Sequence, residues 1–245
     1  MNTKLLVDGD YLVYKVGHMV EISVDWDSTG VYVYYGEIQR AHMEVDRLIS
    51  TWLEVCSAEG ATIFLSDLKA NWRCDVLPSY KANRMKPRRR PTLFYGLRDY
   101  LKEVYGADYE ERLEADDLIG IRATEKSKSK YVIVGEDKDF NSIPSQRWNP
   151  EKEEMHHITL EEADRNHLIQ ALMGDRTDNY LGCPGVGAKT AAKILDLDSS
   201  WAAVAAIYEK KGISEAEALS QARCARILRA GEYDFLKQKV SLWTP

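Results

Sequence analysis

Three segments of the chain share one pattern, an unbroken run of apolar residues that stops abruptly on acid. Lys4-Leu5-Leu6-Val7 ends at Asp8-Gly9. Ala61-Thr62-Ile63-Phe64-Leu65-Ser66 ends at Asp67. Tyr131-Val132-Ile133-Val134-Gly135 ends at Glu136-Asp137-Lys138-Asp139. Such runs, rich in β-branched residues, predict strands buried on both faces, as in a parallel sheet. Between them the period changes. Ile38, Ala41, Val45, Leu48, Trp52 and Cys56 recur every three or four residues and predict a helix over 37–58 with one apolar face. Leu113 to Ala123 and 160–173 read as further helices, and Asp27-Ser28-Thr29-Gly30 as the turn of a hairpin. Ser214 is placed to cap a helix running to Leu228, and Val240-Ser241-Leu242-Trp243 predicts an apolar end docked on the body. Strands alternating with helices predict a wound α/β sheet. Ligands of such sheets bind beyond the carboxyl ends of the strands, where each of these runs puts an aspartate.

Composition narrows the class. The chain has 245 residues and 28.0 kDa, with 44% hydrophobic and 29% charged residues, which suits one large or two small folded domains and excludes wholesale disorder. No apolar run approaches the ~18–20 residues of a membrane span. Asp8 and Asp10 interrupt the place where a secretory signal keeps its apolar segment. Cys56, Cys74, Cys183 and Cys224 lie far apart without a C-x-x-C pair, so neither a disulfide framework nor a cysteine zinc site is expected, and a reducing cytoplasm is the expected setting. The net charge of −6 argues against a polyanion partner only if the acids are spread evenly. Should nine carboxylates line one metal site, the remainder carries +3.

Two more acidic groups supply the candidates. Glu114-Ala115-Asp116-Asp117 puts Glu114 and Asp117 on one helical face at i, i+3, and Gly174-Asp175-Arg176-Thr177-Asp178-Asn179 holds a second such pair. Taken singly, the first could be helix capping and the second a polar turn. Taken together with the strand ends, so many carboxylates can converge only if cations neutralise them. All-oxygen ligands suit Mg²⁺ or Mn²⁺ better than zinc. Two such ions ~4 Å apart activate a water and stabilise the leaving oxygen of a phosphoryl displacement. The five histidines show no ligand spacing, and His156-His157 reads as surface or strand filler.

Tyr80 to Pro91 holds six basic residues and no acid. On a helix Lys81 and Arg84 would share a face and reach one phosphate while Tyr80 stacks on a base. A solvated charged loop is the plainer alternative, and Pro87 and Pro91 should break any helix nearby. Gly182-Cys183-Pro184-Gly185-Val186-Gly187-Ala188-Lys189-Thr190 offers backbone N–H groups at the start of a helix, with Lys189 adding charge. Ala188 stands where a nucleotide-triphosphate loop needs lysine, which leaves a phosphate-gripping turn or a simple helix corner.

The ordered set VDGD (7–10), Asp67, YKANR (80–84), EADD (114–117), DKDF (137–140), GDRTDN (174–179) and GVGAKTA (185–191) resembles the flap endonuclease, or 5′-nuclease, superfamily, and most of all the short 5′→3′ exonucleases of tailed bacteriophages. The resemblance implies a PIN-like α/β core with a mostly parallel sheet flanked by helices. Residues 1–173 would form this metal-binding core, including a helical gateway at 71–98. Residues 174–245 would form a helix–hairpin–helix duplex-binding region and C-terminal helices packed on the core. It assigns Asp8, Asp67, Glu114, Asp116 and Asp137 to one divalent cation and Asp117, Asp139, Asp175 and Asp178 to a second. Lys81 and Arg84 would meet the scissile phosphate and Tyr80 would stack beside them. Gly185, Val186, Gly187 and Lys189 would grip the duplex, with a potassium ion at the hairpin. The implied enzyme is a monomeric, non-membrane exodeoxyribonuclease. It would act on double-stranded DNA with 5′ ends, nicks or flaps in the cytoplasm, the host's if phage-encoded. Asp10 and Glu136 depart from the usual pattern by adding charge. Asp8-x-Asp10 also resembles haloacid-dehalogenase-type phosphotransferases, and a non-catalytic DNA-binding scaffold is a third reading. Neither explains the basic segment, the hairpin and the acids together.

Overall fold

A computed structural model describes residues 2–28, 30–85 and 89–245, with the side chains of Arg84 and Met85 outside that set. In chain order its elements begin with β1 (Thr3–Asp8), α1 (Gly9–Val20), hairpin strands β2 (Ile22–Asp25) and β3 (Tyr32–Tyr35), α2 (Ile38–Val55), and β4 (Gly60–Leu65). The single turn α3 (Arg73–Val76), α4 (Phe94–Tyr105), β5 (Asp108–Tyr109), α5 (Ala115–Thr124), and strands β6 (Lys130–Val134), β7 (Ser145–Asn149) and β8 (Glu154–Ile158) follow. Helices α6 (Leu160–Met173), α7 (Ala188–Leu197), α8 (Trp201–Glu209) and α9 (Glu215–Ala225) lead to the short pair β9 (Tyr233–Asp234) and β10 (Lys239–Val240).

The three apolar runs lie side by side at the centre of one sheet, ordered β5-β4-β1-β6-β7-β8 and parallel throughout except at β7–β8. Both faces are covered, which is why these strands are apolar without alternation. Successive side chains still point to opposite faces. Leu5 and Val7, Ile63 and Leu65, and Val132 and Val134 pack into one core with α1, α2 and α4. Leu6, Phe64 and Ile133 pack into the other with α5, Phe140, Ile227 and Leu228. Helices α6 to α9 build a third core around Leu168, Leu172, Ala191, Leu195, Val204 and Tyr208. The apolar end docks there as expected, with the Trp243 ring 4.9 Å from His167 and 5.5 Å from Trp201.

The gateway differs from its expected form. Lys81 has φ of 56°, outside any right-handed helix, and Ala82–Met85 is one 3₁₀ turn. Lys81 and Arg84 therefore do not share an α-helical face. Lys86, Pro87 and Arg88 lie outside the described residues. The last long helix ends at Ala225 rather than Leu228, because Arg226 turns extended (φ −70°, ψ 119°) and carries Ile227 and Leu228 back to the sheet.

Candidate metal centre

Asp8 closes β1 and caps α1, accepting the Tyr11 N–H at 3.0 Å. Glycine must follow it, since a Cβ at Gly9 would lie 2.5 Å from the Phe64 carbonyl oxygen of β4. Asp67 turns the chain after β4, and its carboxylate accepts the N–H groups of Lys69 (2.8 Å) and Arg112 (2.9 Å). Asp137 leaves β6 and caps a 3₁₀ turn by accepting the Asp139 N–H at 2.8 Å. Glu114 is the N-cap of α5 and Asp116 lies in its first turn. These elements open a cleft of about 590 Å³ at the carboxyl ends of the parallel strands, lined by Asp8, Asp67, Lys81, Glu114, Asp116 and Asp137 among others.

A second acidic group adjoins the first. Asp175 and Asp178 hang from a loop closed by reciprocal backbone hydrogen bonds between Asp175 and Tyr180 (2.7 and 3.1 Å). Gly174 and Gly182 pinch its base, with φ of +68° and +66°, and a Cβ on either would come within 2.4 Å of the other's backbone nitrogen. Asp178 accepts the Tyr80 hydroxyl at 2.9 Å, and the Lys81 ammonium stands 3.5 Å from it while also pairing with Glu114. Asp139 accepts Nε2 of Gln170 at 2.6 Å, and Oε1 of that Gln170 is buried without a hydrogen-bond partner.

The electrostatics record the crowding. Burial, then Asp10 and Asp137, push the Asp8 carboxyl up to about 7. Burial, followed by Asp8, Asp137 and Glu114, lifts Asp116 well above the carboxylate range. Burial and Asp137, with Asp175 and Asp178 adding, push Asp139 up to about 7. Glu114 goes the other way: burial alone would raise it, but Lys81 and Arg73 hold it at about 2. Among the described residues, no three His, Cys, Asp or Glu side chains already stand close enough together to hold one ion. The donor set nevertheless suits hard cations. It is all carboxylate oxygen, and entering positive charge would offset the burial and the mutual repulsion that raise Asp8, Asp116 and Asp139.

Two expected roles are corrected by the geometry. Asp117 is fully buried and committed, each carboxylate oxygen accepting a 2.8 Å hydrogen bond from Arg73 and the pair also accepting Trp72 Nε1 at 2.9 Å and Leu228 N–H at 3.2 Å. It holds the fold rather than an ion. Tyr80 is only 5% exposed, and its hydroxyl donates to Asp178 and Glu114 (3.1 Å), so its ring has no open face for a base. Arg84 reaches the site only by sequence, because its side chain lies outside the described residues. In the glycine hairpin Gly185, Gly187 and Lys189 face solvent, whereas the Val186 side chain is buried in the α6–α9 core and offers only its backbone outward. Asp10, which the resemblance leaves outside the ligand set, lines the cleft, pairs with Arg98 and accepts the Ser66 N–H at 3.0 Å. Arg73 is the residue sequence reasoning missed; its signal was a lone arginine in a short polar stretch before the basic segment.

Residues 3–168 match the family described as 5′-3′ exonuclease, N-terminal resolvase-like domain. The chain is 28% identical to the exodeoxyribonuclease of Enterobacteria phage T3, over 98% of this chain and 92% of that one. It is 29% identical to the exonuclease of Escherichia phage T7, over 98% and 93%. It is 28% identical to the flap endonuclease Xni of Shewanella sp. (strain ANA-3), over 91% and 86%. Among solved structures, the T5 5′-exonuclease with divalent metal ions (zinc) bound superposes with a TM-score of 0.68 at 17% identity, covering 91% of this chain and 89% of that one. A T5 flap endonuclease complex with DNA and metal ions gives 0.67 at 17% identity, covering 90% and 88%.

Proposed function

The chain belongs to the 5′-3′ exonuclease family, and from that premise we propose that it hydrolyses duplex DNA from 5′ ends, nicks or flaps by a two-metal-ion mechanism. The observation that carries this reading is the meeting of Asp8, Asp67, Glu114, Asp116 and Asp137 in one cleft beside Lys81. Those five acids would hold one divalent cation, Mg²⁺ or Mn²⁺ by their oxygen-only chemistry. Asp139, Asp175 and Asp178 would stand nearer a second. Such cations supply an activated water and neutralise charge on the phosphate.

The protein's own residues do the rest. The Lys81 ammonium, now paired with Glu114 and near Asp178, would turn to an entering phosphate oxygen and stabilise charge developing there. Arg84 would add a second cation. Tyr80 would keep Glu114 and Asp178 aimed at the cleft through its hydroxyl. Residues 174–245 would form the duplex-gripping region on the 1–173 core. Within it, Gly185 to Lys189 would meet backbone phosphates through N–H groups and the Lys189 charge, with potassium held at hairpin carbonyls. The working form would be a monomer in the cytoplasm.

The test is cleavage of one duplex labelled at its 5′ end and of a copy labelled at its 3′ end, each with and without Mg²⁺. The 5′ label should leave first, as short products, and only with metal. The variant Asp137→Asn should lose cleavage and keep duplex binding. Metal-independent turnover, or full activity in that variant, would sink the reading.

A further inference from the structure

The hairpin β2–β3 leaves most of both its faces exposed. Cross-strand pairing puts Ile22 beside Tyr35 and Val24 beside Val33 on one face, and Tyr34 and Tyr32 with Ser23 and Asp25 on the other. All four tyrosine and valine positions of β3 are exposed, and Trp26 at the tip is 81% exposed. Apolar surface of this kind on both sides of an unpaired two-stranded ribbon marks an interaction element. Its root joins the acid cleft. Glu21 at the base of β2 accepts Arg89 Nη1 at 2.9 Å and the Thr92 N–H at 2.8 Å. The Arg89 guanidinium lies 3.7 Å over the Tyr34 ring. Arg90, the next residue, lines the cleft itself.

We propose that this hairpin is a stacking arm for unpaired nucleotides of the DNA substrate, with Arg89 and Arg90 leading the phosphates from the arm to the cleft. The inference rests on the nuclease reading above. Tyrosine and tryptophan faces accept any base, and Arg89, stacked on Tyr34 and now paired with Glu21, would turn to a passing phosphate. Asp25 and Asp27 flank Trp26 and repel phosphate, so the tip meets bases and not the backbone. A flat, purely apolar patch would suit a protein partner. The mixture of tyrosines, a stacked arginine and continuity with the cleft favours a single strand.

Binding is measured with metal chelated, so that nothing is cleaved. One probe is a blunt duplex and the other the same duplex carrying a 5′ oligothymidine tail. The tailed probe should bind wild type more tightly. The combined variant Trp26→Ala, Tyr32→Ala, Tyr35→Ala should weaken tailed binding by about 10-fold, as loss of base stacking implies. Blunt binding should not change and the melting temperature should change little, since these side chains are more than half exposed and none belongs to a buried core. Tyr32→Phe with Tyr35→Phe should keep full affinity, because stacking needs the ring and not the hydroxyl. Equal tailed binding by wild type and the alanine variant overturns the proposal. So does a change confined to self-association in sedimentation, which would make the arm an interface between copies. Failure of the nuclease reading itself would appear differently, as wild type that neither binds nor cleaves either probe.

Discussion

Arg73 commits all five of its N–H donors: Nε to the Cys224 carbonyl (2.9 Å), and the two terminal nitrogens to Asp117, Glu114 and the Arg226 carbonyl. It is 3% exposed, so its charge is tolerable only with both acids present. Asp117 and Asp116 are neighbours with opposite fates. Asp117→Asn leaves a buried guanidinium without its main partner and should cost about 3–5 kcal/mol in urea unfolding. Asp116→Asn removes one of several crowded charges, so the fold should survive. If Mg²⁺ binds the folded state alone, it should raise the melting temperature of wild type, and this variant should lack that rise. A destabilised Asp116 variant with intact metal response would reverse the two roles. On the proposed role of its ammonium at the developing charge, Lys81→Ala should slow single-turnover cleavage more than it weakens binding; an unchanged rate would remove it from the scissile site. The sequence could not separate Asp116 from Asp117. Glu114 and Asp117 at i, i+3 are equally the spacing of two ligands on one face and of a capping box, and α5 has the box, with Asp117 accepting the Glu114 N–H at 3.4 Å. Only the distant Arg73 decides between them.

At the scale of elements, burial that is invisible locally controls the chemistry. His167 sits in α6 between the Ala222 carbonyl, 2.8 Å from Nε2, and the Trp243 ring. Burial, and then the Arg226 charge, push this imidazole down to about 3. The unfolded chain takes up that proton near pH 6.5, the folded chain only near 3. Stability from this site is therefore whole above about pH 6.5 and falls as pH drops below it. Between about pH 7.5 and 5.5 it should remove about 1.4 kcal/mol. The variant His167→Gln, which keeps a donor for Ala222, should lack that share of the pH dependence in paired urea titrations; an identical slope in both proteins would refute it. The central strands, α2, α6 and the Ser214 cap were legible because period and capping are local properties. Helix α1 was not, since Gly9, Gly17 and three valines disguise it as a continued strand, and the reason for Gly17 is a Pro91 ring that a Cβ would meet at 2.5 Å. Helix α4 was hidden behind Pro91 in a segment read for its charge.

Across the whole molecule, the C-terminal region returns to complete the nuclease core. The carbonyls of Cys224 and Arg226 hold Arg73, the Leu228 N–H donates to Asp117, and Ile227 and Leu228 fill the core beneath α5. The approach is tight enough that a Cβ on Gly120 would lie 2.4 Å from the Leu228 carbonyl oxygen. The acid site thus depends on residues more than one hundred positions from Glu114 in the chain, a dependence that no local pattern encodes. The 1–173 and 174–245 regions should therefore not unfold apart, whatever role is proposed for each. A chain lacking residues 223–245 would expose Leu6, Phe64 and Ile133 on one sheet face and leave Arg73 with two of its carbonyl acceptors gone. Where the full chain should melt in one cooperative, Mg²⁺-stabilised transition, the shortened chain should lose both features rather than leave an active core with weakened duplex affinity. Circular dichroism melts of the two chains, with and without Mg²⁺, distinguish the cases. A sharp, metal-responsive transition in the shortened chain would show the core to be self-sufficient and the returning segment to be only a buttress.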